Sequence, residues 1–163
     1  MKQKIILSLI VIGIGVIVII INLITSSNQS IAKNDSEVII SEKPMVTVYK
    51  SPSCGCCVGY ISHLKQNGYE VDVIEVDDMS TIKEQYNIPQ SMESCHTSIF
   101  GEYVVEGHMP LEAVEKLLKE KPEIDGIALP NMPAGTPGMP GIQKAPYIIY
   151  SLDDDVATQF MEL

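Results

Sequence analysis

No arginine occurs anywhere in the 163 residues, which excludes the planar, bidentate grip on phosphate or carboxylate that this side chain supplies. Glycine-rich phosphate signatures are also missing, with neither a Walker sequence nor a dinucleotide fingerprint. No Ser-His-Asp arrangement is present, and no internal repeat. Positive charge is scarce: 11 lysines face 21 acidic residues, a formal charge of -10. Taking away Lys2 and Lys4, which precede a long apolar run, leaves 9 lysines and a charge of -12. That balance argues against nucleic acid and anionic lipid surfaces as partners. The acidic run Asp153-Asp154-Asp155 lacks the glycine an EF-hand loop requires and reads as a solvated stretch.

The apolar run is Ile5 to Ile24, uncharged and with Asn22 as its one strongly polar member. As a helix it would be roughly 30 Å long, enough to cross a bilayer core. Lys2 and Lys4 would hold its start in the cytoplasm. A cleaved signal sequence is the competing reading, but the run exceeds a signal core and no small-x-small cleavage site follows it. Residues 1–24 are therefore expected to be a single-pass transmembrane helix. Residues 25–44, polar and interrupted, read as a flexible tether. Either reading puts the remaining chain outside the cytoplasm, at the cell membrane if the anchor is retained.

Met45 to Lys50 is rich in β-branched residues and predicts a strand. Cys57 to Asn67 predicts a helix that stops at Gly68. Tyr69 to Val76 alternates as a second strand, and Met79 to Tyr86 fits a short helix. Thr97 to Phe100 and Tyr103 to Glu106 form a hairpin through Gly101-Glu102. Pro110 opens a helix to Glu120, with Leu111, Val114, Leu117 and Leu118 at helical spacing. The order is β-α-β-α-β-β-α, that of an α/β protein with a thioredoxin-like mixed sheet and flanking helices, spanning residues 45–124. Residues 125–163 are expected to pack on it as an extension. Within them, Gly126 to Gly141 holds too many chain breakers for a helix or inner strand, and Tyr147 to Tyr150 could add a last strand.

Three of the four cysteines crowd into Cys54-Gly55-Cys56-Cys57, between the first strand and the first helix. A helix N-terminus there favours thiolates. Two sulfurs suffice for a dithiol that shuttles electrons; a third looks more like a nest for a thiophilic metal. Cys95-His96 falls in the loop entering the third strand. In thioredoxin-like domains that loop lies against the dithiol and usually presents a proline, whereas this chain presents a thiol and an imidazole. Four sulfurs and a ring nitrogen, drawn from segments about 40 residues apart, are thus expected to converge. Zinc is the poorer fit, because its structural sites normally use two separated Cys-x-x-Cys knuckles. Cu(I) accepts low coordination and bridging thiolates, so several ions could share the cluster.

Ser51-Pro-Ser-Cys-Gly-Cys-Cys57, His63-Leu64, Ser94-Cys-His-Thr97, Glu106-Gly-His-Met-Pro110 and Pro130-Asn-Met-Pro with Pro-Gly-Met139 together resemble the CopG-type copper-resistance proteins, small exported bacterial metal-binding proteins. The resemblance covers roughly residues 45–142. It implies a thioredoxin-like fold, Cu(I) cluster binding by the cysteines, and a part in copper redox handling or detoxification. Tyr60 stands where that family would be expected to carry tryptophan.

The expected metal ligands are Cys54, Cys56, Cys57 and Cys95, with His96 or His108 assisting. Copper ions are the expected cargo, with copper-handling or electron-transfer proteins as partners. The alternative is a thiol–disulfide oxidoreductase with Cys54 as nucleophile and Cys57 as resolving thiol. Simple disulfides are the blander reading for an exported domain, Cys54–Cys57 being the natural pair. His108, just before a helix, could equally cap or pack. His63 lies well off the Cys57 face of its helix and reads as structural. Met132 and Met139 are more often gap fillers than thioether ligands.

Overall fold

The computed structural model describes residues 43–153 and 156–163. The expected anchor at 1–24 and nearly all of the tether at 25–44 lie outside them. Among the described residues no helix is long and apolar enough to cross a membrane.

Strand β1 (Val46–Lys50) leads into helix α1 (Gly55–Gln66), β2 (Val71–Glu75) and α2 (Met79–Gln85). After a 3-10 turn at Gln90–Met92 come β3 (His96–Phe100), β4 (Tyr103–Glu106) and α3 (Leu111–Glu120). The expected β-α-β-α-β-β-α order is present, with boundaries within two residues of the sequence reading. Three more strands follow: β5 (Gly126–Ala128), β6 (Ile148–Asp153) and β7 (Val156–Glu162). All seven join one mixed sheet in the order β2-β1-β3-β4-β5-β6-β7. Strand β1 runs parallel to β2, and β3 is antiparallel to both β1 and β4. The C-terminal segment lengthens the same sheet: β5 lies parallel to β4, and β6 and β7 complete it as antiparallel strands.

One expectation needs correcting. The breakers in Gly126 to Gly141 predict neither helix nor inner strand, yet Gly126–Ala128 pairs on both edges. Its prolines begin only at Pro130, so the three strand residues keep their N–H groups. Gly126 is what admits the strand, because a Cβ there would lie 1.9 Å from the Val104 carbonyl oxygen. The glycine permits a close backbone approach instead of breaking the ladder. Strand β7 has no counterpart among the expected strands.

Strand alternation sorts the interior into two layers. Val46, Val48, Phe100, Val105, Ile127 and Ile149 form the main core with Tyr60, Ile61 and Leu64 of α1 and Val114 and Leu117 of α3. Burying each such side chain stabilises the fold by about 1.5–3 kcal/mol. On the opposite face Val104, Ala128 and Leu152 pack with Ile88, just beyond α2. This two-faced arrangement fixes where the chemistry sits: His96 and Ser98 share a face with Phe100, whereas Thr97 and Glu106 point to the α2 side.

Candidate metal centre

Cys54 is the N-cap residue of α1, with extended backbone angles and no capping hydrogen bond from its side chain. Cys56 and Cys57 therefore stand in the first helical turn. That turn holds no acidic residue, so the positive end of the helix dipole is left to act on the sulfurs. Cys54 and Cys57 are joined by a disulfide, their Cα atoms 5.4 Å apart, while Cys56 and Cys95 are free thiols. Cys57 is fully buried; the other three sulfurs are half-buried at the end of the sheet.

Cys95 is the hub. Its Sγ lies 3.7 Å from Cys56 Sγ and 3.6 Å from Cys57 Sγ, while Cys54 and Cys56 sulfurs are 3.5 Å apart. Also within reach of it are His96 Nδ1 at 3.4 Å and His108 Nε2 at 3.1 Å. Two donor sets follow, Cys54-Cys56-Cys57-Cys95 and Cys95-His96-His108, each with its ligand atoms within 4.8 Å of one another. All six expected site residues thus come together. His63 is apart from them, lining a groove with Asn67, Pro110 and Tyr147. Met132 is about half exposed on its loop.

Burial, then the neighbouring Cys56 thiol, pushes the Cys95 thiol up to about 12, so without a metal it stays protonated. Both histidines are fully buried. Burial holds His108 below the usual imidazole range; for His96 burial, then His108 and Lys83, pushes it well below. Neutral imidazole is the form that binds metals. His108 is also oriented: its Nδ1–H donates to the Pro137 carbonyl at 2.6 Å, which turns the Nε2 lone pair toward Cys95. Fixing one ring nitrogen with a backbone carbonyl is a common way of aiming the other at a metal. The Pro137 carbonyl is delivered by the loop seated on α1, where a Cβ on Gly138 (φ +82°) would lie 2.5 Å from Tyr60 N and 2.8 Å from the Cys56 carbonyl.

Sequence reasoning missed the support beneath this site. Glu106 is entirely buried and its carboxylate accepts from Lys83 Nζ, from Ser94 N at 2.6 Å and from Thr97 Oγ1 at 2.6 Å. Two of these donors flank Cys95-His96, so the carboxylate pins the thiol–imidazole segment from the far face of the sheet. Gly107 N closes the arrangement with a 3.1 Å bond to the His96 carbonyl. A charged residue ending the otherwise apolar Tyr103-Val104-Val105 strand was the available signal. Tyr60 packs on His96 with ring centroids 4.5 Å apart. Its hydroxyl, His96 Nε2 and Ser98 Oγ are buried and find no hydrogen-bond partner among the described residues.

Fold and site together define a mixed α/β protein with a cysteine–histidine cluster suited to metal binding. Two solved structures share the architecture, titled "Copper resistance protein copG" in forms 2 and 1. Each is 36% identical; TM-scores are 0.69 and 0.68, covering 75% of this chain and 99% and 98% of theirs. The family described as "Protein of unknown function, DUF411" matches residues 92–139. Comparison with curated proteins finds no match. The chain belongs to the CopG family of copper-resistance proteins.

Proposed function

We propose that this is a thioredoxin-like domain that binds Cu(I) through Cys54, Cys56, Cys57 and Cys95, with His96 and His108 assisting, and holds or redox-converts copper at the outer face of a membrane. The strand order β2-β1-β3-β4 with antiparallel β3, and the cysteines at the β1–α1 junction, support the thioredoxin-like reading. Residues 1–24 would supply the anchor and 25–44 the tether of a single-pass protein. Copper is the cargo, and copper-handling or electron-transfer proteins would exchange it or its electrons.

The observation that carries this reading is the approach of Cys95 Sγ to within 3.7 Å of two sulfurs that lie 38 and 39 residues away in the chain. Four soft donors at this spacing suit bridging by several Cu(I) ions better than one tetrahedral zinc. Loading requires the Cys54–Cys57 bond to be reduced. The same bond gives the redox arm of the proposal: the dithiol can deliver two electrons to two Cu(II), yielding two Cu(I), the disulfide and two protons. Anaerobic Cu(I) titration of the fully reduced chain tests the proposal. More than one copper per chain, falling in Cys95→Ser, is expected; less than one copper with no dependence on Cys95 refutes it.

One observation favours the rival thiol–disulfide oxidoreductase. The Cys54–Cys57 bond has an exposed-side sulfur, Cys54, and a buried one, Cys57, as attack and resolution require. Insulin reduction by the metal-free chain, abolished in Cys54→Ser, distinguishes it.

A further inference from the structure

Three polar atoms of fully buried side chains on the α1 face of the sheet, the Tyr60 hydroxyl, His96 Nε2 and Ser98 Oγ, are left without a protein hydrogen bond among the described residues. Such atoms are rare in folded proteins, because each gives up its hydration without a replacement bond. The three belong together. His96 and Ser98 project from one face of β3, two residues apart. Tyr60 lays its ring on His96, centroid to centroid at 4.5 Å. Burial, then the Tyr69 phenol, pushes the Tyr60 hydroxyl above the usual phenol range, and Tyr69 itself packs at 5.5 Å on Phe100, the next residue along that face. The Tyr60 hydroxyl is thereby bracketed between His96 and Phe100, where Ser98 stands. Ser98 is paired with Val48 on one side and Val105 on the other, both fully buried. A serine in that row is smaller than its neighbours and brings a hydroxyl. A buried water needs that combination, space together with roughly three polar partners.

We propose that Tyr60, Ser98 and His96 bind one buried water molecule, and that this water holds the His96 proton on Nε2. Neutral imidazole carries its proton on one ring nitrogen or the other, as its hydrogen-bond partners decide. On the Nδ1 side the acceptor at hand is Cys95 Sγ, 3.4 Å away, and sulfur accepts weakly. On the Nε2 side it is a water oxygen, which accepts well. The proton therefore stays on Nε2, and the Nδ1 lone pair faces Cys95. Tyr60 and Ser98 are positioning residues: they act on His96 through the water, as the Pro137 carbonyl acts directly on His108. The water site itself requires no metal; its use, presenting Nδ1 to an ion, rests on the copper reading.

The test uses the full-length, metal-free chain with isotope-labelled histidine, Cys54 and Cys57 joined. Proton–nitrogen correlation spectra report which ring nitrogen is protonated, His96 being assigned by the signals lost in His96→Gln. Expected are the Nε2–H form and cross-relaxation from a long-lived water to the rings of Tyr60 and His96. Ser98→Val puts a methyl group where the water sits, so the cross-relaxation should vanish and Nδ1–H should become the major form. Circular dichroism checks the fold. Should Ser98→Val misfold, Tyr60→Phe, which takes away one partner of the water, is expected to shift the same ratio toward Nδ1–H. A native chain with Nδ1–H, or without the long-lived water, overturns the proposal, as does a folded variant whose ratio is unchanged. Anaerobic Cu(I) titration of the reduced chain runs in parallel. Failure to load copper in a chain that shows the water and Nε2–H refutes only the copper reading, and intact loading with neither refutes only this proposal.

Discussion

Replacing Lys83 by methionine isolates what the buried carboxylate beneath the site depends on. Lys83 and Glu106 form an ion pair whose side chains are 6% and 0% exposed. Methionine keeps most of the apolar stem and removes the charge, leaving Glu106 with only the Ser94 amide and the Thr97 hydroxyl. An exposed pair would lose about 0–1 kcal/mol. A buried one stripped of one partner loses about 3–5 kcal/mol, because the remaining charge stays desolvated. Since domains are stable by only about 5–15 kcal/mol, the variant should sit near the edge of folding. Urea denaturation of reduced, metal-free protein at pH 7.5 reads this as a lower midpoint at constant slope. Burial already pushes the Glu106 carboxyl above its usual range, against the pull of Lys83 and the other donors. Without Lys83 it should protonate more readily, so the deficit of the variant shrinks as pH falls toward 5. The double variant Lys83→Met/Glu106→Gln buries no charge and should recover much of the loss. A single-variant loss under about 1 kcal/mol, or a double variant no better than the single, refutes the reasoning.

Metal binding should release the Cys95 proton, since that thiol is pushed up to about 12. Its contribution to affinity rises about tenfold per pH unit between pH 6 and 8, measured by competition titration and absent in Cys95→Ser. The metal-free fold should weaken in acid for a separate reason. His96 and His108 are lowered in the folded state, so below about pH 6.5 the unfolded chain gains protons that the folded one does not. Stability is then lost as pH falls from 6.5 toward 5, by up to about 1.4 kcal/mol per pH unit for each histidine, and His108→Gln should show the shallower slope. Gly138→Ala should cost about 1–3 kcal/mol, because the new Cβ meets backbone of α1 at 2.5 and 2.8 Å. Denaturation measures that cost, and an unchanged midpoint would mean the loop is not seated on the helix.

Much of this protein was legible in the chain because its signals are local. The apolar spacing from Leu111 to Leu118, the Gly101-Glu102 turn and the β-branched run before Cys54 each reflect interactions within one turn or one strand. The convergence of Cys95 on the cysteine triplet was also legible, since a β-α-β-α-β-β-α order leaves the loop before β3 little choice of neighbour. What the sequence could not decide were matters of contact between distant backbones. Gly126 and Gly138 look like chain breakers; tertiary packing makes one an inner-strand residue and the other the seat of a loop on α1. Lys83 and Glu106 look like ordinary surface charges, and only the pleat of β4, which turns Glu106 to the α2 face, buries them together. Sequence alone leaves His108 open between cap and ligand for the same reason. Which way an imidazole points is set by the Pro137 carbonyl, 29 residues away, and no local pattern encodes a hydrogen bond across that distance. Residue identity settled which chemistry the donors can perform, and packing settled which atoms face one another to perform it.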